Sequence, residues 1–247
     1  MLSRLRTAIA LMALIAGPVH AASLDELYSS TAIVTGKGEK NRQPGFRDCF
    51  DRILVKVSGD PRLPTLPTAL KLRDRAGDFV ASYTYRDRLE GTPIHDEQGT
   101  YDRPHDLTCN YDPEVLDPLL TSLGSKPWLA ERPKFLVLLD VERGGRSFMV
   151  TLDRPDGADM RESFANAARP LGMSVIFPGA EDTVAGVVQL SGTLRWSDAD
   201  LGWVATWRVT YDRKDFEWVV RGVNFDEAFR VAIRGAAQIL SGNGAPE

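Results

Sequence analysis

Two histidines are the first candidates for metal or acid–base chemistry in this 247-residue chain. His95 and His105 lie in one polar stretch, residues 90–106, beside several carboxylates, and together these groups contain the donor atoms of a zinc site. Two ligands ten residues apart on a polar loop specify little geometry, whereas a metal site requires a fixed one. We therefore favour two solvated loop histidines and expect no metal ligand.

Carboxylate pairs in and beside the same stretch are the second candidates. Glu97 with Asp102, or Glu97 with Asp112, would supply a general acid and base for hydrolysis of an envelope glycan or peptide. The chain contains 34 Asp and Glu residues, so such pairs arise by chance. A hydrolase that acts through an Asp/Glu pair near residues 90–112 is therefore the alternative function.

Other catalytic and cofactor-binding patterns are missing from the sequence. The GKGEK segment at residues 36–40 lacks the four-residue gap and the Lys-Ser/Thr pair of a phosphate-binding loop. The chain has neither a Gly-x-Ser-x-Gly nor a His-Glu-x-x-His pattern. We assign no catalytic residue and expect no cofactor.

Cys49 and Cys109 are the two cysteines of the chain. Cys49 falls on the apolar face of a predicted helix, and Cys109 on the apolar face of a predicted strand, so both sulfur atoms are expected in a core. The favoured hypothesis is a disulfide between them, which the chain-entropy model values at roughly 4 kcal/mol for a loop of about 60 residues. Two buried, inert thiols are the other interpretation.

Four tryptophans in the second half of the chain have two interpretations. Trp203 and Trp207 share one face of a predicted strand, and Trp196 and Trp218 lie on its predicted neighbours. Such a row would form a stacking surface for a glycan or a partner protein. The favoured alternative is packing beneath the last helix, whose apolar face must be buried.

The first 22 residues have the layout of a secretory signal peptide. A basic start precedes an apolar run at residues 7–16, and small residues precede a cut after Ala21 or Ala22. The run is shorter than the roughly 18–20 residues of a membrane span. Removing the segment takes away two positive charges and no negative one, so the net charge moves from −4 to −6. We expect a periplasmic protein with no transmembrane anchor and no nucleic-acid partner, because phosphate binding needs clustered basic charge.

Hydrophobic periodicity divides the remaining chain into two α/β modules. They span residues 23–129 and 130–241, and a flexible tail follows at 242–247. Antiparallel strands with interleaved helices indicate the α+β class, with mixed to antiparallel sheets and helices packed on them. Trp128 and Arg132 mark the hinge between the halves, where we expect a structural clamp.

Individual elements are predicted from the same patterns. We predict a helix over residues 44–58 and another that begins at Pro67 and buries a stripe extending to Tyr83, with an additional strand near 82–86 as an option. The continuous apolar run at 134–140 is typical of a strand covered on both faces. A final amphipathic helix is expected over 225–240.

The order of several short segments resembles a bacterial family known as domain of unknown function 2066. The segments are RILVKVSGD at 52–60, FVASYTY at 79–85, WLAERPKFLV at 128–137, SGTL at 191–194 and WVATWRV at 203–209. The resemblance implies an exported envelope protein with no established activity, cofactor or site. Together with the missing catalytic patterns, it favours a non-catalytic binding or assembly factor of the cell envelope, whose partner is an envelope protein or glycan.

Overall fold

A computed structural model describes residues 24–92, 103–179 and 186–246 of the chain. The fold is α+β, with two sheets that each carry helices and a separate hydrophobic core. The α-helices are α1 (Leu24–Leu27), α2 (Glu39–Ser58), α3 (Pro67–Arg73), α4 (Pro113–Ser122), α5 (Ala158–Ala168) and α6 (Phe225–Leu240). The strands are β1 (Ser29–Thr35), β2 (Val80–Asp87), β3 (Pro104–Tyr111), β4 (Lys134–Arg143), β5 (Arg146–Met149), β6 (Ser174–Ile176), β7 (Val188–Ser197), β8 (Gly202–Tyr211) and β9 (Lys214–Val223). Short 3-10 helices occupy Leu63–Thr65, Ala76–Phe79 and Arg169–Leu171.

The first half is an antiparallel three-stranded sheet with the order β1-β3-β2. Residues alternate between buried and exposed along β1 and β3, so one face of the sheet is apolar. Helix α2 buries residues three or four positions apart against that face, among them Phe46, Phe50, Ile53 and Val57. The core of the first half therefore lies between this helix and the sheet.

The second half is a mixed six-stranded sheet. Its main order is β5-β4-β7-β8-β9, and β6 pairs with β4 in parallel. Strands β4 and β7 are parallel, while β7, β8 and β9 form an antiparallel meander. Helices α5 and α6 contribute Phe164, Phe229 and Ile233 to the core on one face of the sheet. Helix α6 spans the 225–240 segment predicted for it.

The predicted helix from Pro67 to Tyr83 is wrong beyond its first turns. Helix α3 ends at Arg73, and the chain then enters β2, where the additional strand was expected. Tyr83 pairs with Cys109 across the sheet, and its ring packs edge-on against Phe46 of α2, with centroids 5.3 Å apart. Pairing with β3 therefore overrides the local helical pattern, because that pairing is available only in the folded chain.

Three further expectations need correction. Helix α2 begins at Glu39, five residues before Pro44, because a proline near the amino end removes a single intrahelical hydrogen bond. On β4, Leu136 and Leu138 are partly exposed, since no layer covers that face within the described ranges. The segment expected as a flexible tail is attached at Asn243, whose side chain donates to the C=O of Ser58 at 2.9 Å.

No helix of the described residues combines the length and the apolar character needed to cross a membrane.

Candidate functional site

The two halves meet at the carboxyl end of α2. The last carbonyl groups of a helix have no partner within it. The C=O of Val57 accepts the main-chain N–H of Trp128 at 2.7 Å, and the C=O of Ser58 accepts the side-chain amide of Asn243. The C=O of Lys56 accepts Nη2 of Arg132, also at 2.7 Å. The linker between α4 and β4 and the segment after α6 thus supply hydrogen-bond donors to the last carbonyl groups of α2.

Arg132 is the central residue of this joint. Its Nη1 donates to the C=O of Trp128 at 2.7 Å and to that of Ala130 at 3.0 Å, and its guanidinium lies 4.0 Å from the centre of the Trp128 ring. A Cβ added at Gly172 in the second half would be 3.4 Å from its Cγ, so its aliphatic stem contacts that turn. The clamp expected of Trp128 and Arg132 is therefore present.

Beside this joint lies a cleft of about 640 Å³ with walls from both halves. Its first wall comes from α1, β1, α2 and β3, and its second wall is the turn at residues 169–173, directly after α5. Arg132 lies between the two walls. A volume of this size is typical of a site for a small molecule.

Four cations line the cleft, although the whole chain is acidic. They are Arg52, Lys56, Arg132 and Arg169. Nη1 of Arg52 donates to the C=O of Thr31 at 3.0 Å, and Nζ of Lys56 donates to the C=O of Ser29 at 2.7 Å and to that of Glu26. Because carbonyl oxygens carry no net charge, these bonds fix the position of the cations without neutralising them.

The two carboxylates of the cleft do not balance this charge. Asp106 on β3 is bound by Arg86, with Nη2 2.6 Å from Oδ2, and by Arg88, with Nε 3.5 Å from Oδ1. Glu26 lies close to Lys56 and stabilises its charge. Within the described ranges, Arg52 and Arg169 form no ion pair with a carboxylate. The cleft therefore carries an excess of positive charge.

Burial lowers the pKa of two of these cations, Lys56 and Arg132. Burial lowers the pKa of Lys56 to about 8; Glu26 opposes this shift and Arg132 adds to it. Burial also lowers the pKa of Arg132 to about 10, and Tyr28 opposes the shift. Nε of Arg132 is buried and has no hydrogen-bond partner among the described residues. An anion near these groups would offset part of the free energy that their burial costs.

The remaining lining is apolar and includes the free edge of β1. Ile33, on that strand, is 55% exposed, while Leu171 and Met173 of the opposite wall are largely buried. Strand β1 lies at the end of its sheet, and Arg52 and Lys56 occupy carbonyl groups along that edge. Charged side chains on an edge strand discourage pairing with another chain. These two cations thus protect the edge and also line the cleft.

The two cysteines lie together in the first core. Cys49 on α2 and Cys109 on β3 are both fully buried, and both are free thiols in the structure. Sγ of Cys49 is also 3.6 Å from the carbonyl oxygens of Ser30 and Leu107. The hydrogen bond with Cys49, together with burial, raises the pKa of Cys109. The disulfide stays a prediction, and both cysteines lie in the same core.

The interpretation of the tryptophans as a partner surface needs correction for three of the four. Trp203, Trp207 and Trp218 are at most 5% exposed, because the apolar face of α6 and the sheet bury them together. The Trp207 ring lies edge-on to Phe229 of α6, with centroids 6.1 Å apart. A Cβ at Gly235 of α6 would be 2.6 Å from the Trp218 ring, so that helix approaches the sheet closely.

Trp196 is the exception, because it is only half buried. Its ring contacts Trp203 edge-on at 5.6 Å, and the guanidinium of Arg143 lies 4.9 Å from its centre. Nε1 of Trp196 donates to Asp198 at 2.8 Å. A single ring that is already covered by an arginine does not form a stacking surface.

The residues considered for metal or hydrolytic chemistry do not come together in the described ranges. His105 is buried on β3, with Nδ1 2.7 Å from the C=O of Arg103. Asp112 caps α4 by accepting the N–H of Glu114 at 2.9 Å. His95, Glu97 and Asp102 lie outside the described residues. No group of three His, Cys, Asp or Glu side chains among the described residues has the arrangement of a metal site.

The sequence patterns did not identify the cleft. Arg52 and Lys56 are four residues apart on α2 and so share a helix face, which is the one local signal that points to it. The second wall, residues 169–173, is more than 110 positions further along the chain. No local periodicity relates segments at that separation.

Comparison with known protein families gives a match in the first half of the chain. The sequence model of a domain of unknown function (DUF8605) matches residues 21–129, a segment that contains every residue of the first core. No curated protein and no solved structure matches the chain. The match supports an uncharacterised domain in the first half and does not identify it as domain of unknown function 2066.

Proposed function

We propose that this chain is an exported, non-catalytic binding protein that takes its ligand in the cleft between its two halves. The observation that carries the proposal is the set of four cations in that cleft, of which Arg52, Lys56 and Arg132 are held in place by neutral main-chain carbonyls. Fixed positive charge that exceeds the neighbouring negative charge, in a concave site of about 640 Å³, is suited to recognition.

The setting we propose is the periplasm, with a role in binding or assembly at the bacterial envelope. Two features of the sequence support it. The pattern of residues 1–22 is that of a cleavable signal peptide, and the segments that resemble domain of unknown function 2066 imply an exported envelope protein. The ligand is then an envelope component.

The alternative, a hydrolase with an Asp/Glu pair near residues 90–112, gains no specific support from the described part of that segment. Asp106 is held by two arginines, Arg86 and Arg88, which occupy its oxygen atoms. The carboxylate of Asp112 caps the amino end of α4 by accepting the N–H of Glu114. A general acid requires a carboxyl group that holds a proton near neutral pH.

A photocrosslinker placed in the cleft tests the proposal in cells. Ile33 is 55% exposed in the cleft, and Val219 is 45% exposed on the uncovered face of the second sheet, so both strand positions accept p-benzoylphenylalanine. We expect a periplasmic adduct from position 33, none from position 219, and loss of the adduct in the Arg52→Gln variant. Equal adducts from both positions, or none from position 33, would contradict a binding cleft.

A further inference from the structure

We infer that the cleft binds an anionic amphiphile, a small molecule with one carboxylate or phosphate head and an aliphatic portion. The inference rests on the proposed function, because it names the chemistry of the ligand at the same cleft. Two observations carry it together: cations in excess of carboxylates line the cleft, with Arg52 and Lys56 on its first wall, and apolar side chains line both walls.

The head group would lie against Arg52 and Lys56. Arg52 is exposed, and among the described residues it donates through Nη1 to the C=O of Thr31, which leaves other guanidinium N–H groups available to a ligand. A guanidinium presents paired N–H groups that match both oxygens of a carboxylate or phosphate. Lys56, one helical turn further on, adds a point charge at the same wall.

The aliphatic portion would lie between the apolar residues of the two walls. Leu27 and Ile33 come from the first half, and Pro170, Leu171 and Met173 come from the second. Ile33 is more than half exposed, so a covering alkyl chain would remove its surface from water. An inorganic anion would use the cations and leave the exposed apolar residues Ile33 and Pro170 in water. A ligand with an anionic head and an aliphatic portion would both pair with the cations and cover the apolar surface.

Titration of the purified full-length protein with four probes tests the inference. The probes are dodecyl phosphate, dodecanoate, dodecanol and inorganic phosphate, each below its micelle concentration. The signal is tryptophan fluorescence, to which Trp128 contributes from its position over Arg132 beside the cleft. We expect both anionic amphiphiles to bind at least tenfold more tightly than dodecanol and than inorganic phosphate. The comparison of the two anionic probes shows whether the head is a carboxylate or a phosphate.

Three variants assign the binding to the cleft. We expect Arg52→Gln to weaken the anionic amphiphiles about tenfold, since a hydrogen bond to a charged group is lost, and to leave dodecanol unchanged. Ile33→Ser should weaken dodecanol and the anionic amphiphiles alike. The matched control Arg195→Gln removes an exposed arginine paired with Glu142, outside the cleft, and should have no effect.

Several outcomes would overturn the inference. Equal affinity for dodecanol and dodecyl phosphate, or unchanged affinity in Arg52→Gln, would mean that the cations only protect the edge of β1. A failure of all four probes, combined with a specific adduct from position 33 in cells, would overturn the amphiphile and leave the binding cleft standing. Unchanged urea unfolding of Arg52→Gln is the control for its folding.

Discussion

Lys56 is the residue of the cleft whose charge changes near neutral pH. Burial lowers its pKa from 10.5 to about 8, while Glu26 and Arg132 act on it in opposite directions. Between these two values the unfolded chain binds the proton and the folded chain releases it. Stability therefore increases with pH across this window, because the unfolded state holds more protons there.

A Lys56→Met variant isolates this effect. We expect the free energy of unfolding in urea to rise between pH 8 and pH 10 in the natural chain relative to the variant, whose neutral side chain does not titrate. Affinity for dodecyl phosphate should fall more steeply over the same range in the natural chain than in the variant, because only the natural chain loses the charge of Lys56. Parallel pH profiles for both proteins would mean that Lys56 does not titrate in this range.

Cys49 and Cys109 give a second prediction at the residue scale. In protein expressed to the periplasm and then unfolded in urea, we expect no alkylation of either thiol until a reductant is added, because we predict a bridge between these two cysteines of one core. Reduction should lower the free energy of unfolding by up to about 4 kcal/mol. The Cys49→Ala variant serves as the control, because a reductant should not change its stability. Two thiols that are alkylated in the unfolded, unreduced protein would contradict the bridge.

At the scale of the elements, glycines decide how closely the second half packs. Gly192 on β7 lies opposite Trp207 on β8, and a Cβ at Gly192 would be 2.1 Å from the Trp207 ring. Trp207 is fully buried against Phe164 and Phe229 and has no room to move. The sheet and α6 can enclose the ring because β7 has no side chain at that point.

Gly192→Ala tests this packing. We expect it to lower the free energy of unfolding by about 3 kcal/mol or more, because the added methyl group displaces a buried ring. Ser191→Ala, one residue earlier and on the uncovered face, should stay within about 0.5 kcal/mol of the natural chain. Urea denaturation followed by tryptophan fluorescence measures both. Equal stability of the two variants would show that the Trp207 ring can move.

At the scale of the whole molecule, the joint at the end of α2 unites two cores. Arg132 and Asn243 come from the linker and from the segment after α6, and each supplies a donor to a carbonyl of that helix. All five tryptophans lie at or beyond residue 128, so their fluorescence reports the linker and the second half. Circular dichroism reports both halves.

The double variant Arg132→Met/Asn243→Ala should uncouple the halves. We expect coincident unfolding by fluorescence and circular dichroism in the natural chain, and separate transitions in the variant, because two carbonyls of α2 lose their partners. Arg143→Met is the matched control, since that arginine also lies over a tryptophan but within the second half. Separate transitions in the natural chain would show that the joint does not couple the cores.

Much of the fold follows from local pattern. The periods of 3.6 and 2 identified α2, α6 and the strands of Cys109 and the tryptophans, because amphipathic elements must bury their apolar faces. The same reasoning placed Cys49 and Cys109 in a core and favoured burial of Trp207. It was wrong at β2, where Tyr83 lies at helical spacing from earlier apolar residues and yet pairs with β3.

The sequence by itself determined the class of fold, the two cores and the clamp at Trp128 and Arg132, because each depends on the spacing of apolar side chains or on adjacent residues. The tertiary structure alone decided which basic residues lie together in the cleft. Arg52 and Arg169 are 117 positions apart, and they line one cleft only because α2 and the turn after α5 meet there. A net charge of −4 gives no indication of such a site, since charge acts through distance in space and not along the chain.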